Sequence, residues 1–146
     1  MNVFNIQNTF EMKAQRNWPE IYICIDLHGT IIPNGKSVDD VSDEFVFYPD
    51  AKEVLQWMTN RKDIFLILWT STPISKIDNV WDFFTANNIQ FDYINSNSHA
   101  KNTARSDFSK KFYFNILLDD RAGFVGTTDW TLIKKELTFI KEWDRV

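Results

Sequence analysis

The hydrophobic pattern of the chain contains four apolar runs that are typical of buried strands. The first, IYICID at residues 21–26, is almost continuously apolar, which favours a strand covered on both faces. The other three runs occupy residues 63–70, 89–95 and 111–120. A shorter stretch, EFVFY at residues 44–48, predicts one further strand.

Three segments between and after these runs carry apolar residues at helical spacing. Residues 49–60 begin with Pro and Asp, which favour the first turn of a helix. Residues 75–88 and 129–143 place their apolar side chains three and four positions apart, as amphipathic helices do. Buried strands that alternate with amphipathic helices indicate an α/β fold with a parallel central sheet.

The N-terminal residues 1–20 show no clear period. We interpret them as an extension that packs on the edge of the domain through Phe4, Phe10 or Trp18. The chain contains 146 residues, a length that suits one domain with a substantial core. We therefore predict a single domain over residues 1–146.

Composition narrows the class of protein. Apolar residues make up 44% of the chain and aromatic residues 16%, a balance found in globular domains and not in disordered ones. The net charge of −4 gives no support for a broad nucleic-acid surface. An acidic protein nevertheless binds phosphate where backbone dipoles or a metal ion are available.

Cysteine usage and the length of the apolar runs bear on location. The single cysteine, Cys24, excludes an internal disulfide bond and is compatible with a reducing compartment. No run approaches the roughly 20 apolar residues of a membrane-spanning helix, and the first residues lack the pattern of a signal peptide. We therefore expect a cytoplasmic protein without a membrane partner.

Polar residues follow three of the predicted strands directly. The segments are DLHGT at residues 26–30, WTST at residues 69–72 and LLDD at residues 117–120. In an open α/β sheet, ligands bind beyond the carboxyl ends of the strands. Since the three segments fall at such ends, we expect them to form one site.

The residue types in these segments favour phosphate chemistry. Asp26, Asp119 and Asp120 offer the oxygen ligands that Mg²⁺ prefers. A carboxylate at a strand end can also attack phosphorus and form an aspartyl-phosphate. Thr30 and Thr70 offer hydroxyl groups to phosphate oxygens, together with nearby backbone N–H groups.

The order and spacing of these segments resemble a known family. DLHGT is similar to the D-x-D-G-T signature of the haloacid dehalogenase-like (HAD) phosphatase superfamily, and FLILWT to its second motif, a strand that ends in Thr or Ser. KFYFNILLDDRAGF resembles the lysine motif of the family and the acidic motif that follows it. The resemblance runs from about residue 21 to about residue 126 and is closest to small capless HAD proteins of bacteria and phage.

The resemblance implies a three-layer HAD-like (Rossmann-like) fold without a substantial cap domain, and a Mg²⁺-dependent phosphatase that acts through an aspartyl-phosphate. Asp26 would be the nucleophile and a metal ligand, and the backbone carbonyl of His28 would be a second ligand. Asp119 and Asp120 would complete the metal site. The partner would be a phosphorylated substrate, small or macromolecular.

The resemblance also assigns a set of residues to the phosphoryl oxygens: Gly29, Thr30, Thr70, Ser71 and Lys111. Thr70 and Lys111 would in addition take part in catalysis. Lys111 lies eight residues before Asp119, as the lysine of the family does, and Lys110 is the alternative. A lysine at this point would neutralise charge on the transferred phosphoryl group.

His28 departs from the family pattern, which has a second Asp at this position. That Asp protonates the leaving group and then activates water. Histidine also exchanges protons near neutral pH, so His28 is our candidate for the acid–base catalyst. The alternative is a catalytically degenerate protein that keeps the metal and phosphate site for binding or regulation.

Other residues near the strand ends are weaker candidates. Trp69 adjoins Thr70 and is the tryptophan most closely associated with the site. Asn95 and Asn97 follow the third predicted strand and are candidates for the cleft, whereas we interpret His99 as a surface-loop residue. An open site would also admit nucleic-acid ends, which the acidic charge does not favour, or a second subunit that covers a small substrate.

Overall fold

Four parallel strands form one sheet within residues 2–35 and 45–143, the residues that the computed structural model describes. The strands are β1 (Ile21–Asp26), β2 (Ile64–Trp69), β3 (Tyr93–Ile94) and β4 (Ile116–Leu118), and their order across the sheet is β3-β2-β1-β4. The helices are α1 (Ile6–Arg16), α2 (Ala51–Thr59), α3 (Ile77–Ala86) and α4 (Gly126–Trp143). The predicted three-layer, Rossmann-like α/β fold is confirmed.

One face of the sheet is covered by helices. Its side chains come from alternate strand positions, among them Ile23, Ile25 and Leu68, which are buried. All four helices contribute apolar residues to the same core: Ile6 and Phe10 from α1, Leu55 and Met58 from α2, Val80 and Phe84 from α3, and Trp130 and Ile133 from α4. Removal of this apolar surface from water is the dominant stabilising effect in such a domain.

The opposite face of the sheet is covered by irregular chain in place of helices. Tyr22, Cys24 and Ile67 lie on this face and form a second apolar cluster. The segment between β3 and β4, residues 95–115, lies over them with several partly buried aromatic side chains. This layer leaves the last residue of β2, Trp69, 43% exposed.

The strand order places the carboxyl ends of β1 and β4 side by side. From β1 the chain steps through β2 to β3 on one side, and then crosses to β4 on the other side of β1. Open α/β sheets bind ligands in the crevice that forms where the winding reverses. Here that crevice lies at Asp26, which ends β1, and Asp119, which follows β4.

The N-terminal residues are more deeply integrated than the sequence predicts. The expectation was an extension on the domain edge, whereas the structure contains helix α1, with Ile6 and Phe10 buried in the main core. Phe4 and Trp18 pack against the same core. Only three residues of α1 are buried, so its apolar face is too short to produce a visible period in the sequence.

The two outer strands are shorter than predicted. Within residues 89–95, only the last part pairs with β2, while Ile89 and Phe91 are buried as loop residues. Within residues 111–120, the first five residues belong to the irregular layer, and pairing with β1 begins only at β4. In both cases the apolar character reflects core packing and not continuous strand pairing.

The helix predictions are closer to the structure. The bounds of α2 and α3 agree with the predicted segments to within two residues. Helix α4 begins three residues before the predicted start at Asp129. The carboxylate of Asp129 accepts the backbone N–H of Val125 at 2.7 Å, so this residue stabilises a first turn that has already begun.

The predicted strand EFVFY is wrong where the structure describes it. Glu44 lies outside the described residues, and residues 45–48 form no strand. Phe45 and Phe47 pack against Phe83 of α3, with ring centroids 5.0 and 4.7 Å apart. The alternating apolar side chains of this segment therefore pack against a helix and do not belong to a strand.

The carboxyl edge of the sheet carries no additional domain in the described residues, which agrees with the predicted absence of a substantial cap. Between β1 and β2 the described chain holds α2, and between β2 and β4 it holds α3, β3 and the irregular segment. Across residues 2–35 and 45–143, none of the helices combines the length and the apolar character needed to cross a membrane.

Candidate functional site

Three carboxylates meet at the crevice between β1 and β4. Asp26 ends β1, and Asp119 and Asp120 follow β4 directly. One oxygen atom from each of the three lies within 4.8 Å of the others. Among the described residues, this is the one group of three or more acidic, His or Cys side chains close enough to share a metal ion.

The carboxylates perturb one another's protonation. Partial burial, a hydrogen bond with Asp120 and the charge of Asp119 together raise the pKa of Asp26 from 3.8 to about 7. Partial burial also opposes ionisation of Asp120, but its hydrogen bonds with Asp26 and Asp119 outweigh that effect and lower its pKa. Carboxylates this close favour a shared proton near neutral pH in the absence of a cation.

The donor set fits a divalent cation such as Mg²⁺. All three donors are carboxylate oxygens, and Mg²⁺ is usually bound by one or two carboxylates together with water and phosphate oxygens. Positive charge at this point would lower the pKa of Asp26 toward its ordinary value, because an opposite charge favours the ionised form. The residues that would hold the ion are Asp26, Asp119 and Asp120.

Thr30 lies behind the carboxylates and forms hydrogen bonds with Asp26 and Asp120 that hold them in position. The backbone N–H of Asp120 donates to Oγ1 of Thr30 at 3.0 Å. The same hydroxyl lies 3.3 Å from Oδ2 of Asp26 and 3.4 Å from Oδ1 of Asp120. Nε1 of Trp130 donates to the Thr30 carbonyl at 2.7 Å and anchors the turn in the core. Thr30 is fully buried and does not line the cleft described below.

Gly29 makes room for Asp120. Its φ of +81° is a backbone conformation that favours glycine. A Cβ atom at this position would lie 2.7 Å from Oδ2 of Asp120 and 2.9 Å from Nδ2 of Asn34. The backbone N–H of Gly29 donates to the carbonyl of Ile32 at 2.7 Å. The structure thus gives Gly29 a steric role beside the carboxylates and uses its N–H within the turn.

A cleft of about 760 Å³ opens in front of the carboxylates. All its lining residues except Asn34 lie at or shortly after the ends of the four strands: Asp26, His28, Asn34, Trp69, Thr70, Ser71, Asn95, Asp119, Asp120 and Arg121. Thr70 and Ser71, which the sequence assigns to phosphate, are both in this set. Asn34 and Arg121 are additions that the sequence does not single out.

Thr70 is held in place by Asn95. The backbone N–H of Thr70 donates to Oδ1 of Asn95 at 2.8 Å, and Nδ2 of Asn95 donates to the Thr70 carbonyl at 2.8 Å. Oγ1 of Thr70 lies 2.7 Å from Oγ1 of Thr72 and accepts the backbone N–H of Thr72 at 3.2 Å. This arrangement presents the hydroxyl groups after β2 to the cleft.

His28 belongs to the tight turn that follows β1. The carbonyl of Leu27 accepts the backbone N–H groups of Ile31 and Ile32 at 2.9 and 3.2 Å, and His28 itself forms an isolated bridge with Ile32. The turn places His28 on the lining of the cleft, two positions after Asp26. A proton donor and acceptor is therefore present beside the carboxylates.

The lysines predicted to bind phosphate do not line this cleft. Lys110 and Lys111 line a second cavity, a groove of about 280 Å³ on the face of the sheet covered by the irregular segment. Trp69 lines both cavities. Among the described residues, the cation on the cleft lining is Arg121, whose backbone N–H donates to Oδ1 of Asp119 at 2.9 Å. The signal for Arg121 in the sequence is its place directly after two acids at a strand end.

Two weaker candidates lie away from the cleft lining. Asn97 is buried, and its Nδ2 donates to the carbonyl of Tyr113 at 2.9 Å. His99 stacks on Phe65 with ring centroids 4.5 Å apart, and its Nε2 lies 3.6 Å from Oε1 of Glu20. His99 thus attaches the irregular segment to β2, whereas the hydrogen bond of Asn97 lies within that segment.

Comparison with known proteins gives a match of fold. No family model and no curated protein matches the sequence. A solved structure, described as a conserved protein coded by a locus from Bacteroides thetaiotaomicron, is similar to this chain with a TM-score of 0.58 and 24% sequence identity. The similarity covers 82% of this chain and 90% of the other. At this level of identity the similarity supports the α/β architecture alone.

Proposed function

We propose that this protein is a Mg²⁺-dependent phosphatase that acts through an aspartyl-phosphate on Asp26. The observation that carries the proposal is the cluster of Asp26, Asp119 and Asp120 at one wall of an open cleft. The resemblance of the sequence motifs to the HAD superfamily supports the same chemistry. Bound at the three carboxylates, Mg²⁺ supplies positive charge to the phosphoryl oxygens.

Asp26 is the nucleophile in the first step of the reaction. An ionised carboxylate oxygen of Asp26 attacks phosphorus, and the bond between phosphorus and the leaving-group oxygen breaks. His28 donates a proton to that oxygen, so that the product leaves as an alcohol. Thr70, Ser71 and Arg121 line the same cleft and bind the phosphoryl oxygens through N–H and O–H groups.

Water completes the reaction. His28, now without the donated proton, accepts a proton from a water molecule as the water oxygen attacks phosphorus. The bond between phosphorus and the Asp26 oxygen breaks, which releases inorganic phosphate and restores the carboxylate. The proton bound by His28 is again available for the next substrate.

The second candidate function is phosphate binding without hydrolysis. The observation that favours it is His28 itself, because the acid–base Asp of the HAD pattern is absent at this position. In that case the carboxylate cluster and the cleft bind a phosphorylated partner, and turnover is very slow. The two candidates share one site and differ in the role of His28.

The nucleophile is tested by trapping and by turnover. With Mg²⁺ and beryllium fluoride, we expect an adduct on Asp26 that fluorine NMR detects, and Asp26→Asn should abolish both the adduct and phosphate release from an aryl phosphate. Asp82→Asn, an exposed carboxylate on α3, is the matched control and should keep both. Turnover that survives in Asp26→Asn would disprove the aspartyl-phosphate.

The role of His28 separates the two candidate functions. General acid–base catalysis contributes roughly 10²–10⁴-fold, so His28→Ala should lose that much turnover on a phosphate ester with a poor leaving group. The loss should be smaller with a good leaving group, which needs no proton. A large gain of activity in His28→Asp, together with little activity in the natural protein, would instead favour the binding protein.

A further inference from the structure

Trp69 stands beside the candidate nucleophile and is unusually exposed for a tryptophan in a central strand. It is the register partner of Asp26 in the pairing of β1 with β2, so the two residues occupy neighbouring positions on adjacent strands. Both lie at the carboxyl edge of the sheet. Trp69 is 43% exposed, which leaves a large aromatic surface next to the carboxylates in contact with water.

The exposed indole joins two cavities. On one side Trp69 lines the cleft that holds the carboxylates. On the other side it lines the groove of about 280 Å³, together with Phe112, Phe114 and Leu117 and with Lys110 and Lys111. The rings of Trp69 and Phe112 have centroids 5.5 Å apart and are tilted by 54°, so the two rings are not stacked face to face.

We propose that the cleft and the groove together bind a nucleoside monophosphate. The phosphate lies at the carboxylate cluster, and the nucleobase packs on Trp69 and Phe112 in the groove. The proposal rests on the proposed function for the position of the phosphate, and it adds the chemical class of the substrate.

The size and lining of the groove favour a nucleobase. Cavities that hold a whole small ligand usually measure roughly 300–1,000 Å³, so a groove of about 280 Å³ suits one ring system whose phosphate lies in the adjoining cleft. Every nucleobase has a planar face that packs on an aromatic side chain. Lys110 and Lys111 add hydrogen-bond donors for the carbonyl and ring-nitrogen acceptors on the edge of a base.

The position of Trp69 also favours a sugar between the phosphate and the ring. Adjacent strands are about 4.8 Å apart, so the indole begins one strand away from Asp26 and the groove extends farther, to Phe112. A ring bonded directly to phosphate, as in phosphotyrosine, would remain on the cleft side of Trp69 and would not reach the groove. A ribose supplies the length that a base needs to reach the groove.

Calorimetric binding in the presence of Mg²⁺ tests the proposal. Asp26→Asn is used as the parent because it prevents turnover, and the probes are guanosine 5′-monophosphate, ribose 5-phosphate and phosphotyrosine. Packing of one base on an aromatic ring corresponds to about 5- to 150-fold in affinity, so the nucleotide should bind tighter than ribose 5-phosphate by that factor. Phosphotyrosine should bind no better than ribose 5-phosphate.

Substitutions of Trp69 test whether the tighter binding of the nucleotide depends on this side chain. Trp69→Leu in the same parent should abolish the advantage of the nucleotide over ribose 5-phosphate, whereas Trp69→Phe should keep part of it. Trp81→Leu is the matched control, because Trp81 is 36% exposed on α3 and lines neither cavity. Equal affinity for the nucleotide and ribose 5-phosphate in the parent, or an undiminished advantage in Trp69→Leu, would overturn the proposal.

Failure of this proposal is distinct from failure of the phosphatase proposal. If the protein hydrolyses ribose 5-phosphate and guanosine 5′-monophosphate with equal kcat/KM, the phosphatase stands and the nucleobase site is wrong. If the nucleotide binds in a manner that depends on Trp69 and is never hydrolysed, the nucleobase site stands and the phosphatase is wrong.

Discussion

The side chain of Asn95 binds both backbone polar groups of Thr70, the first residue after β2. Its Oδ1 accepts the Thr70 N–H and its Nδ2 donates to the Thr70 carbonyl, both at 2.8 Å. Asn95 has a φ of +53°, a left-handed conformation that Asn tolerates better than most residues. The amide thus takes the place of a further strand residue and fixes the hydroxyl groups that line the cleft.

Removal of this amide should weaken phosphate binding. Asn95→Gly keeps the left-handed backbone without strain and deletes only the side chain. We expect a loss of stability of about 0.5–1.5 kcal/mol for each hydrogen bond, and several-fold weaker binding of inorganic phosphate, since Thr70 is no longer held. Asn88→Gly is the control, because Asn88 also has a left-handed φ, +57°, and does not line the cleft. Equal phosphate affinity in the two variants would contradict this role of Asn95.

The contribution of Asp26 to the stability of the metal-free protein should fall as the pH rises from about 4 to 7. The pKa of Asp26 is 3.8 when unperturbed and about 7 in the fold, so in this interval the folded state holds more protons than the unfolded chain. The free energy of unfolding then decreases with increasing pH, by at most about 1.4 kcal/mol per pH unit and less because solvent screens this partly exposed group. Thermal unfolding between pH 4 and 8 without metal measures the effect.

Two comparisons assign the pH dependence to the carboxylate cluster. Asp26→Asn should flatten the decline, and Asp82→Asn should leave it unchanged. Saturating Mg²⁺ should also remove most of the decline in the natural protein, because a bound cation favours ionised Asp26. A decline of the same size in Asp26→Asn would place its origin elsewhere.

Gly29→Ala should weaken Mg²⁺ binding, in addition to the loss of stability that a positive φ causes in an alanine. The new Cβ would lie 2.7 Å from Oδ2 of Asp120, so this carboxylate must move. Gly123→Ala is the matched control, since Gly123 also has a positive φ, +95°, but a Cβ there meets no atom within 4 Å. Both variants should lose about 1–2 kcal/mol of stability from the backbone conformation. Only Gly29→Ala should lose Mg²⁺ affinity by calorimetry, and equal affinities would refute the steric role of Gly29.

Arg121 and Lys111 are the two candidates for the cationic side chain that binds phosphate, and their positions differ. Arg121 lines the cleft, whereas Lys111 lines the groove beyond Trp69. We therefore expect Arg121→Ala to weaken binding of inorganic phosphate in the presence of Mg²⁺ by several-fold or more, and Lys111→Ala to leave it nearly unchanged. If only Lys111→Ala weakens binding, the lysine of the HAD pattern acts in this protein after a movement of the irregular segment.

Much of the fold can be predicted because it depends on local patterns. The apolar run that forms β1 and the helical spacing in α2 and α3 each report on burial within one segment. Helix α1 within residues 1–20 and the helix contact of residues 45–48 are not predicted, for the opposite reason. Apolar side chains in these segments, such as Phe10 and Phe47, pack against distant parts of the chain, which no local period records.

Some features of the candidate site can likewise be predicted from local patterns, and others cannot. Acidic residues at the ends of two strands predict a meeting of Asp26 with Asp119 and Asp120, because parallel strands share one carboxyl edge. The second motif likewise predicts Thr70 near the same edge. The sequence does not predict that Thr30 lies behind the carboxylates or that Arg121 lines the cleft. These placements depend on side-chain directions within two turns.

The sequence by itself determined a parallel α/β sheet with three carboxylates gathered at one edge, since the strand period and the chemistry of strand ends are local properties. Only the tertiary structure decided that a loop, and not a helix, covers the second face of the sheet. Because a loop covers this face, Trp69 is exposed and Lys111 lies in a groove outside the cleft. The physical reason is that the path of residues 95–115 depends on contacts with residues far away in the chain, such as Glu20 and Phe65 with His99.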